Sequence, residues 1–218
     1  MIIEAFKNKF SQLKSIGIQI QYVLDIGAYR GDFTDTIKLV WPTAIVNQFE
    51  ADERQKNFLQ SNAIIALLGD VDEKEVDYFT LDETKITTAT GSSIFKELTN
   101  HYNDTSTIIM KKQMITLDTL CKTHNFFGNW KNHGLIKLDT QGSELLILDG
   151  AITFLETKQP RFILIECSWM NYNKGSPLFL EVITKLDKLN YKAKDIYDMS
   201  YDIQGNLIQT DILFERKQ

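Results

Sequence analysis

The sequence predicts an α/β fold in which a mostly parallel β-sheet is covered by helices on both faces. Three observations carry this. Short apolar runs of strand length alternate with stretches of helical periodicity through most of the chain. The first strand-to-helix junction, VLDIGAYRGDFT at 23–34, bends at glycines. The chain closes on two strand-like runs, 191–199 and 208–216, joined by the glycine-containing turn DIQGN, and these read as an antiparallel hairpin.

Taken in order, residues 3–16 place Ile3, Phe6, Phe10, Leu13 and Ile16 at helical spacing and predict an amphipathic helix. YVLDIGA at 22–28 and AIVNQFEA at 44–51 are strands either side of a helix at 32–40. A helix near 52–60 and a strand at 63–69 follow, then a strand at 134–139, a helix at 144–155 and a strand at 161–167. VDYFTL at 76–81 and IIMKKQMITL at 108–117 are extra strands, separated by a polar insertion at 82–107 of the length usually found in functional loops. Past Pro177 a helix runs to about Asn190, with Phe179, Val182, Ile183, Leu186 and Leu189 on one face.

A chain of 218 residues buries one substantial core without disulfides or metals to staple it, and no Pro/Gly/Ser-rich linker or internal repeat divides it. Against 29 Asp and Glu stand 24 Lys and Arg, a net charge of −5, which is no electrostatic footprint for holding nucleic acid. Apolar runs such as IIALL at 64–68 are far too short to span a bilayer, and the first ten residues show no secretion signal. Cys121 and Cys167 form no disulfide framework, and His101, His124 and His133 lack ligand spacing, so a reducing, cytoplasmic setting is expected.

Chemistry concentrates at the strand ends. Gly27 allows a tight bend beside a ligand, and Gly31 opens a helix whose free N–H groups attract an anion. The spacing Gly-x-x-x-Gly is one residue longer than the first glycine pair of the dinucleotide fingerprint and lacks its third glycine, which disfavours a diphosphate. The turn suits a ligand carrying a small carboxylate, with a cation near Asp25 and a ribose farther along the sheet; S-adenosylmethionine fits both. Glu50 ends the second strand, where an acid accepts from ribose hydroxyls, and Gly69 and Asp70 end the third, where an adenine would lie. Each feature alone is commonly a plain turn or a solvated cap; three at successive strand ends weigh more. In GLIKLDTQGSELLILDGA at 134–151, alternation puts Lys137 and Asp139 on one strand face, with Asp139 at the C-terminal end beside the switch point where open sheets bind ligands. An internal Lys–Asp pair, with Ser143 as helix cap and Glu144 offsetting the helix dipole, accounts for the same residues structurally.

IKLDTQGSELLILDGA resembles the signature segment of the FkbM-type methyltransferase family, and VLDIGAYRGDFT, FEAD around Glu50, ALLGD around Gly69, TGSSIFKE at 90–97, IECSW at 165–169, PLFLEV at 177–182 and QTDILFER at 209–216 agree with it. The resemblance spans roughly residues 20–216. It implies a class I methyltransferase (Rossmann-like) fold: a seven-stranded, mostly parallel sheet with the last strand antiparallel. Residues 1–19 would be an N-terminal helix, and 20–218 a single methyltransferase domain with a lid-like insertion at about 82–107. It also implies S-adenosylmethionine as cofactor. Asp25, Gly27, Ala28 and Gly31 would surround the methionine moiety, Glu50 and Ala51 the ribose, and Gly69 and Asp70 the adenine. Asp139, Gln141, Glu144 and Glu166 would face the methyl group and acceptor, with Lys96 and Trp169 as further acceptor-binding candidates. Tyr29 and Arg30 depart from the smaller residues common in this loop, and their side chains are expected to point away from the cofactor.

The expected reaction is O-methylation of a sugar or other small-molecule hydroxyl. The protein's main tasks are to hold the acceptor in line and to exclude water. Asp139 is the first candidate base and Glu166 the second. A divalent metal held by these acids is the less favoured alternative, and no metal is expected. The insertion, with Lys96 and Tyr102, is expected to act as an acceptor-side lid; a plain surface turn is its structural alternative. Two other classes stay open: a non-catalytic S-adenosylmethionine-binding module and a nicotinamide-dependent oxidoreductase.

Overall fold

The computed structural model describes residues 2–84, 90–99, 102, 105–124, 126 and 128–218. Helix α1 (Ile2–Ser15) is followed by strand β1 (Tyr22–Ile26), helix α2 (Asp32–Val40) and strand β2 (Ile45–Glu50). A single 3₁₀ segment, Glu53–Phe58, stands where a helix near 52–60 was expected. The expected third strand is divided into β3 (Ile64–Ile65) and β4 (Leu67–Leu68). Next come β5 (Glu75–Leu81), β6 (Thr107–Ile115), α3 (Leu117–Thr123), α4 (Trp130–His133) and β7 (Gly134–Leu138). The expected helix at 144–155 is broken at Gly150 and Ala151 into α5 (Glu144–Asp149) and α6 (Ile152–Lys158). The chain ends with β8 (Phe162–Ser168), α7 (Phe179–Lys188), β9 (Tyr191–Tyr201) and β10 (Leu207–Arg216).

Seven strands form one sheet in the order β3-β2-β1-β7-β8-β10-β9. Every pairing from β3 to β8 is parallel, and β10 alone runs against its neighbours β8 and β9. This is the expected sheet with an antiparallel last strand. Helices cover both faces, because each buried strand offers apolar side chains on alternating sides. On one face Val23, Leu135, Leu164 and Leu213 pack under Phe6 and Phe10 of α1 and Ile37 of α2. On the other, Ile136, Ile163 and Ile212 pack under Trp130, Leu148, Phe154 and Leu186. Ile16, expected on the buried face of α1, is past the end of that helix and is exposed, since the chain turns at Gly17.

β4, β6 and β5 make a separate three-stranded sheet. The two sheets share the third strand: β3 pairs with β2, the Ala66 N–H still donates to the Glu50 carbonyl at 2.9 Å, and β4 then pairs with β6. In the main sheet the chain direction places the C-terminal ends of β1, β2, β3, β7 and β8 along one edge.

Candidate active site

A cavity of about 350 Å³ opens at that edge. Its floor at one end is apolar, formed by Phe49, Ala66, Leu67, Leu68 and Ile147. Its other end is acidic, with Asp139 and Glu166 in the wall. Ser92, Ser93 and Ile94 of the insertion line it from above, and Phe6 of α1 and Phe33 of α2 close one side.

The turn after β1 is built by backbone contact. Gly27 has φ +75°, and a Cβ there would lie 1.9 Å from the Asp139 carbonyl oxygen, so only glycine lets the ends of β1 and β7 approach this closely. Gly27 and Ala28 both donate their N–H to the Phe49 carbonyl at 3.0 Å. Tyr29 takes the left-handed conformation, φ 48°, which directs its N–H onto Glu50 Oε2 at 2.8 Å. Glu50 Oε1 accepts from the Asp52 N–H at 2.7 Å. The carboxylate is therefore fixed in the cavity wall with each oxygen keeping a further lone pair. Burial, with the charge of Asp52 beside it, holds its pKa above the ordinary carboxylate range despite these two hydrogen bonds. Asp52 also lines the cavity and is paired with Arg54.

Behind the turn is a buried charge cluster. Lys137 Nζ donates to the Gly27 carbonyl at 2.6 Å and lies 3.3 Å from Asp139 Oδ2 and 3.5 Å from Asp25 Oδ1. Asp25 is fully buried and accepts the Thr34 hydroxyl on Oδ2 at 2.7 Å. Burial would lower the Lys137 pKa, but Asp139 and Asp25 outweigh it and the ammonium is held above its usual value. Burial raises the Asp25 carboxyl, with Lys137 and Thr34 opposing.

At the acidic end, Gln141 bridges two strands. Its side-chain amide donates to Glu166 Oε2 at 2.8 Å and to Asp139 Oδ1 at 3.2 Å. Gln141 has φ 56°, and its carbonyl is held by Ser93 Oγ at 2.8 Å and Asn173 Nδ2 at 2.5 Å. The insertion and the loop after β8 thus clamp the peptide that aims this amide. Burial and the neighbouring Asp139 push the Glu166 carboxyl well above the carboxylate range.

The structure brings Gly27, Ala28, Glu50, Ala51, Asp139, Gln141 and Glu166 into one cavity wall. Asp25 and Gly31 stand behind it: Asp25 anchors Thr34 and Lys137, and Gly31, φ +88°, caps α2 against Gln48. Gly69 and Asp70 are outside. The strand leaves the main sheet at Ala66, so Leu67 and Leu68 line the cavity while Gly69 packs on Met114 and Gly150, and Asp70 is exposed. Glu144 faces its own loop, accepting the N–H groups of Thr140 at 2.7 Å and Gly142 at 3.0 Å, and so shapes the turn that carries Gln141. Ser143 makes no side-chain cap for α5; its hydroxyl donates to the Thr140 carbonyl at 3.1 Å.

Trp169 stacks on Phe179 at 4.0 Å and donates to Thr210 Oγ1 at 2.9 Å, bracing α7 away from the cavity. Lys96 and Tyr102 are also outside its wall; Tyr102 packs on Leu81. Tyr29 and Arg30 do not point away as expected but line the cavity: the left-handed turn swings Tyr29 inward, and Arg30 lies over the rings of Tyr29 and Phe58. Of the lid-like insertion, residues 85–89, 100, 101, 103 and 104 are outside the described residues. Among the described residues no group of three or more His, Cys, Asp or Glu is placed to hold a metal ion, and no helix is long and apolar enough to cross a membrane.

The profile of the methyltransferase FkbM domain matches residues 25–193. The chain belongs to the FkbM methyltransferase family. The matched stretch of this FkbM chain holds both the glycine turn and the Asp139–Glu166 wall. Comparison with curated protein sequences returns no match. Among solved structures, a SAM-dependent methyltransferase from Archaeoglobus fulgidus is similar, with a TM-score of 0.53 and 10% identity over 98% of this chain and 94% of that one. Magnesium protoporphyrin IX methyltransferase (ChlM) from Synechocystis PCC 6803, solved with bound SAM, gives 0.52 at 8% identity over 99% and 79%. Methyltransferase FkbM from Methylobacillus flagellatus KT gives 0.52 at 13% identity over 93% and 47%, so this chain spans about half of that relative's length. At such identities the likeness is one of fold, the class I methyltransferase fold.

Parts of the site in this FkbM chain lie beyond the sequence-predicted set. Ser93 and Asn173, which hold Gln141, are polar residues in loops with no periodic signal. Lys137 was legible as a cation inside an apolar strand, but its bond to Gly27 was not. Asp211, in an apolar strand of the closing hairpin, carried the same kind of signal.

Proposed function

We propose that this FkbM-family protein is an S-adenosylmethionine-dependent O-methyltransferase acting on a hydroxyl of a sugar or other small molecule. The observation that carries the reading is the joining, in one cavity, of the Gly27 turn, a Glu50 carboxylate oriented by two backbone N–H groups, an apolar slot and an acidic end. The donor set fits the group. Phe49, Leu67, Leu68 and Ile147 offer an apolar slot for a base, Glu50 keeps lone pairs for ribose hydroxyls, and Asp139 offers negative charge toward a sulfonium. The bound SAM named for the Synechocystis ChlM structure, which shares this fold, supports the same choice.

S-adenosylmethionine, when bound, supplies an electrophilic methyl carbon whose bond to sulfur breaks with its electron pair left on sulfur. The chain's own residues do the rest. Gln141 fixes Asp139 and Glu166 relative to each other, and a carboxylate of this pair takes the acceptor's proton, a contribution of about 10²-fold or more. Ser92, Ser93 and Ile94 form the described part of an acceptor-side lid that excludes water. Acidic lining and a net charge of −5 favour a small neutral acceptor over a nucleic acid. Residues 20–218 serve in this reading as one methyltransferase domain behind the N-terminal helix, and the two free thiols suit a cytoplasmic setting.

Calorimetric titration with S-adenosylmethionine, S-adenosylhomocysteine and NAD tests the reading. Saturable binding of the first two and none of NAD is expected. Binding of NAD alone would make the protein a nicotinamide enzyme, and no uptake of S-adenosyl ligands at millimolar concentration sinks the proposal.

A further inference from the structure

The acidic end of the cavity continues along the sheet. β7 pairs Leu138 with Ile165 of β8, so Asp139, one residue on, is level with Glu166. Glu166 pairs directly with Asp211 of β10, and Asp211 with Asp198 of β9. Residues paired in register point to the same face, with Cβ atoms of an antiparallel pair about 4.5–5.5 Å apart. Two like charges directly opposite at that spacing destabilise a ladder.

We propose that Asp211 is a positioning residue of the acceptor site, holding one proton in common with Glu166 so that the two carboxyls act together as the proton acceptor. The inference rests on the methyltransferase reading for its chemistry, and on the β8–β10 register for its geometry.

The groups around the pair leave this as the low-energy arrangement. From β7, Lys137 is committed to the Gly27 carbonyl and lies between Asp25 and Asp139. From β9 comes Asp198, and from α5 Glu144, both acids. From α1 the cation on this side, Lys9, is taken by Asp195 at 2.9 Å, and the helix otherwise presents Phe6 and Phe10. Gln141 donates to Glu166. Among the described residues no side-chain or backbone donor reaches the Asp211 carboxyl. Glu166 has the Gln141 amide on one oxygen, Asp211 has no donor of its own, and two such adjacent carboxyls are best satisfied when one is protonated and donates to the other. In agreement, burial and the charge of Asp139 hold both carboxyls above the ordinary range. During transfer the acceptor hydroxyl gives its proton to the pair as its oxygen takes the new bond. The pair passes from one proton to two and returns one to water.

The test is a ¹³C NMR titration of the carboxyl carbons of the full chain, without ligand, from pH 4 to 9. In the wild type the pair is expected to titrate in two steps, the upper one well above the ordinary carboxylate range. In Asp211→Asn the Glu166 midpoint should fall by about one pH unit or more. In Glu166→Gln the Asp211 midpoint should fall likewise, which reads the pair from its other side if one variant does not fold. Ordinary midpoints for both groups in the wild type, or a Glu166 midpoint unmoved by Asp211→Asn, overturn the proposal. Calorimetry with S-adenosylhomocysteine on the same samples separates the two claims: no uptake would sink the methyltransferase reading while leaving the shared proton standing.

Discussion

Lys137 reaches from β7 to β1 and donates to the carbonyl of Gly27 at 2.6 Å, so one buried ammonium ties the ligand turn to the acidic strand end. Its removal leaves Asp25 buried without a counter-charge. Lys137→Met should therefore cost about 3–5 kcal/mol, as loss of one partner of a buried pair does. Urea denaturation measures this, and an unchanged midpoint would show that the cluster contributes nothing.

Two glycines of similar φ separate strain from close approach. Gly27→Ala forces a methyl to 1.9 Å from the Asp139 carbonyl oxygen, whereas at Gly205, φ +86°, nothing lies within 4 Å of the added carbon. The first substitution should cost more than about 3 kcal/mol and the second about 1 kcal/mol. Equal losses in thermal melts would mean that the turn relaxes and that the β1–β7 approach is not fixed.

Glu50→Gln places an amide NH₂ against the N–H of Tyr29 or Asp52, where two acceptors stood. A loss of about 1–3 kcal/mol in stability is expected from the unpaired donor. Affinity for S-adenosylhomocysteine should fall by about tenfold or more, the effect of about 1.4 kcal/mol on an equilibrium constant. Calorimetry showing wild-type affinity would remove Glu50 from the nucleoside site.

Asp139→Asn keeps an oxygen for Gln141 but loses the charge facing Lys137. Affinity for S-adenosylhomocysteine, which carries no sulfonium, should hold to within a few-fold while turnover on a cognate hydroxyl drops by about 10². Retained binding together with full turnover would take Asp139 out of the chemistry and leave Glu166 as the base.

Because Glu166 and Asp211 have folded-state pKa values above their unfolded ones, the native state binds more protons than the unfolded chain. Their contribution is present below the ordinary carboxylate pKa and is lost as pH rises through the raised values. Asp211→Asn should flatten that decline, so its melting temperature gains on the wild type from pH 5 toward pH 9. Parallel curves for the two proteins over this range would contradict the assignment.

Local signals carried much of the site. Gly27, Glu50 and Asp139 each end a short apolar run, so period and glycine placement suffice to locate them. The rest depends on pairs far apart in the chain. Gln141 is aimed by Ser93 and Asn173, 48 and 32 residues away, and neither loop has a periodicity to announce it. ALLGD reads as one uninterrupted run that puts Gly69 at a strand end, but β3 pairs with β2 for two residues only before the chain turns to β6. Helices α3 and α4 fell in a stretch with no clean amphipathic repeat, and tertiary packing of Leu117, Leu120 and Trp130 makes them.

The break at Ala66 works as a seam. β1, β2 and β3 are pinned by parallel pairing on one side of it, while β5 and β6 have their own ladder on the other. Leu67 and Leu68 lie on the β6 side of the seam yet line the cavity, so exchanging the β5–β6 ladder for one of different length would reshape the apolar end while leaving the Gly27–Glu50 wall in place. A scaffold divided in this way can acquire new clientele by editing one outrigger.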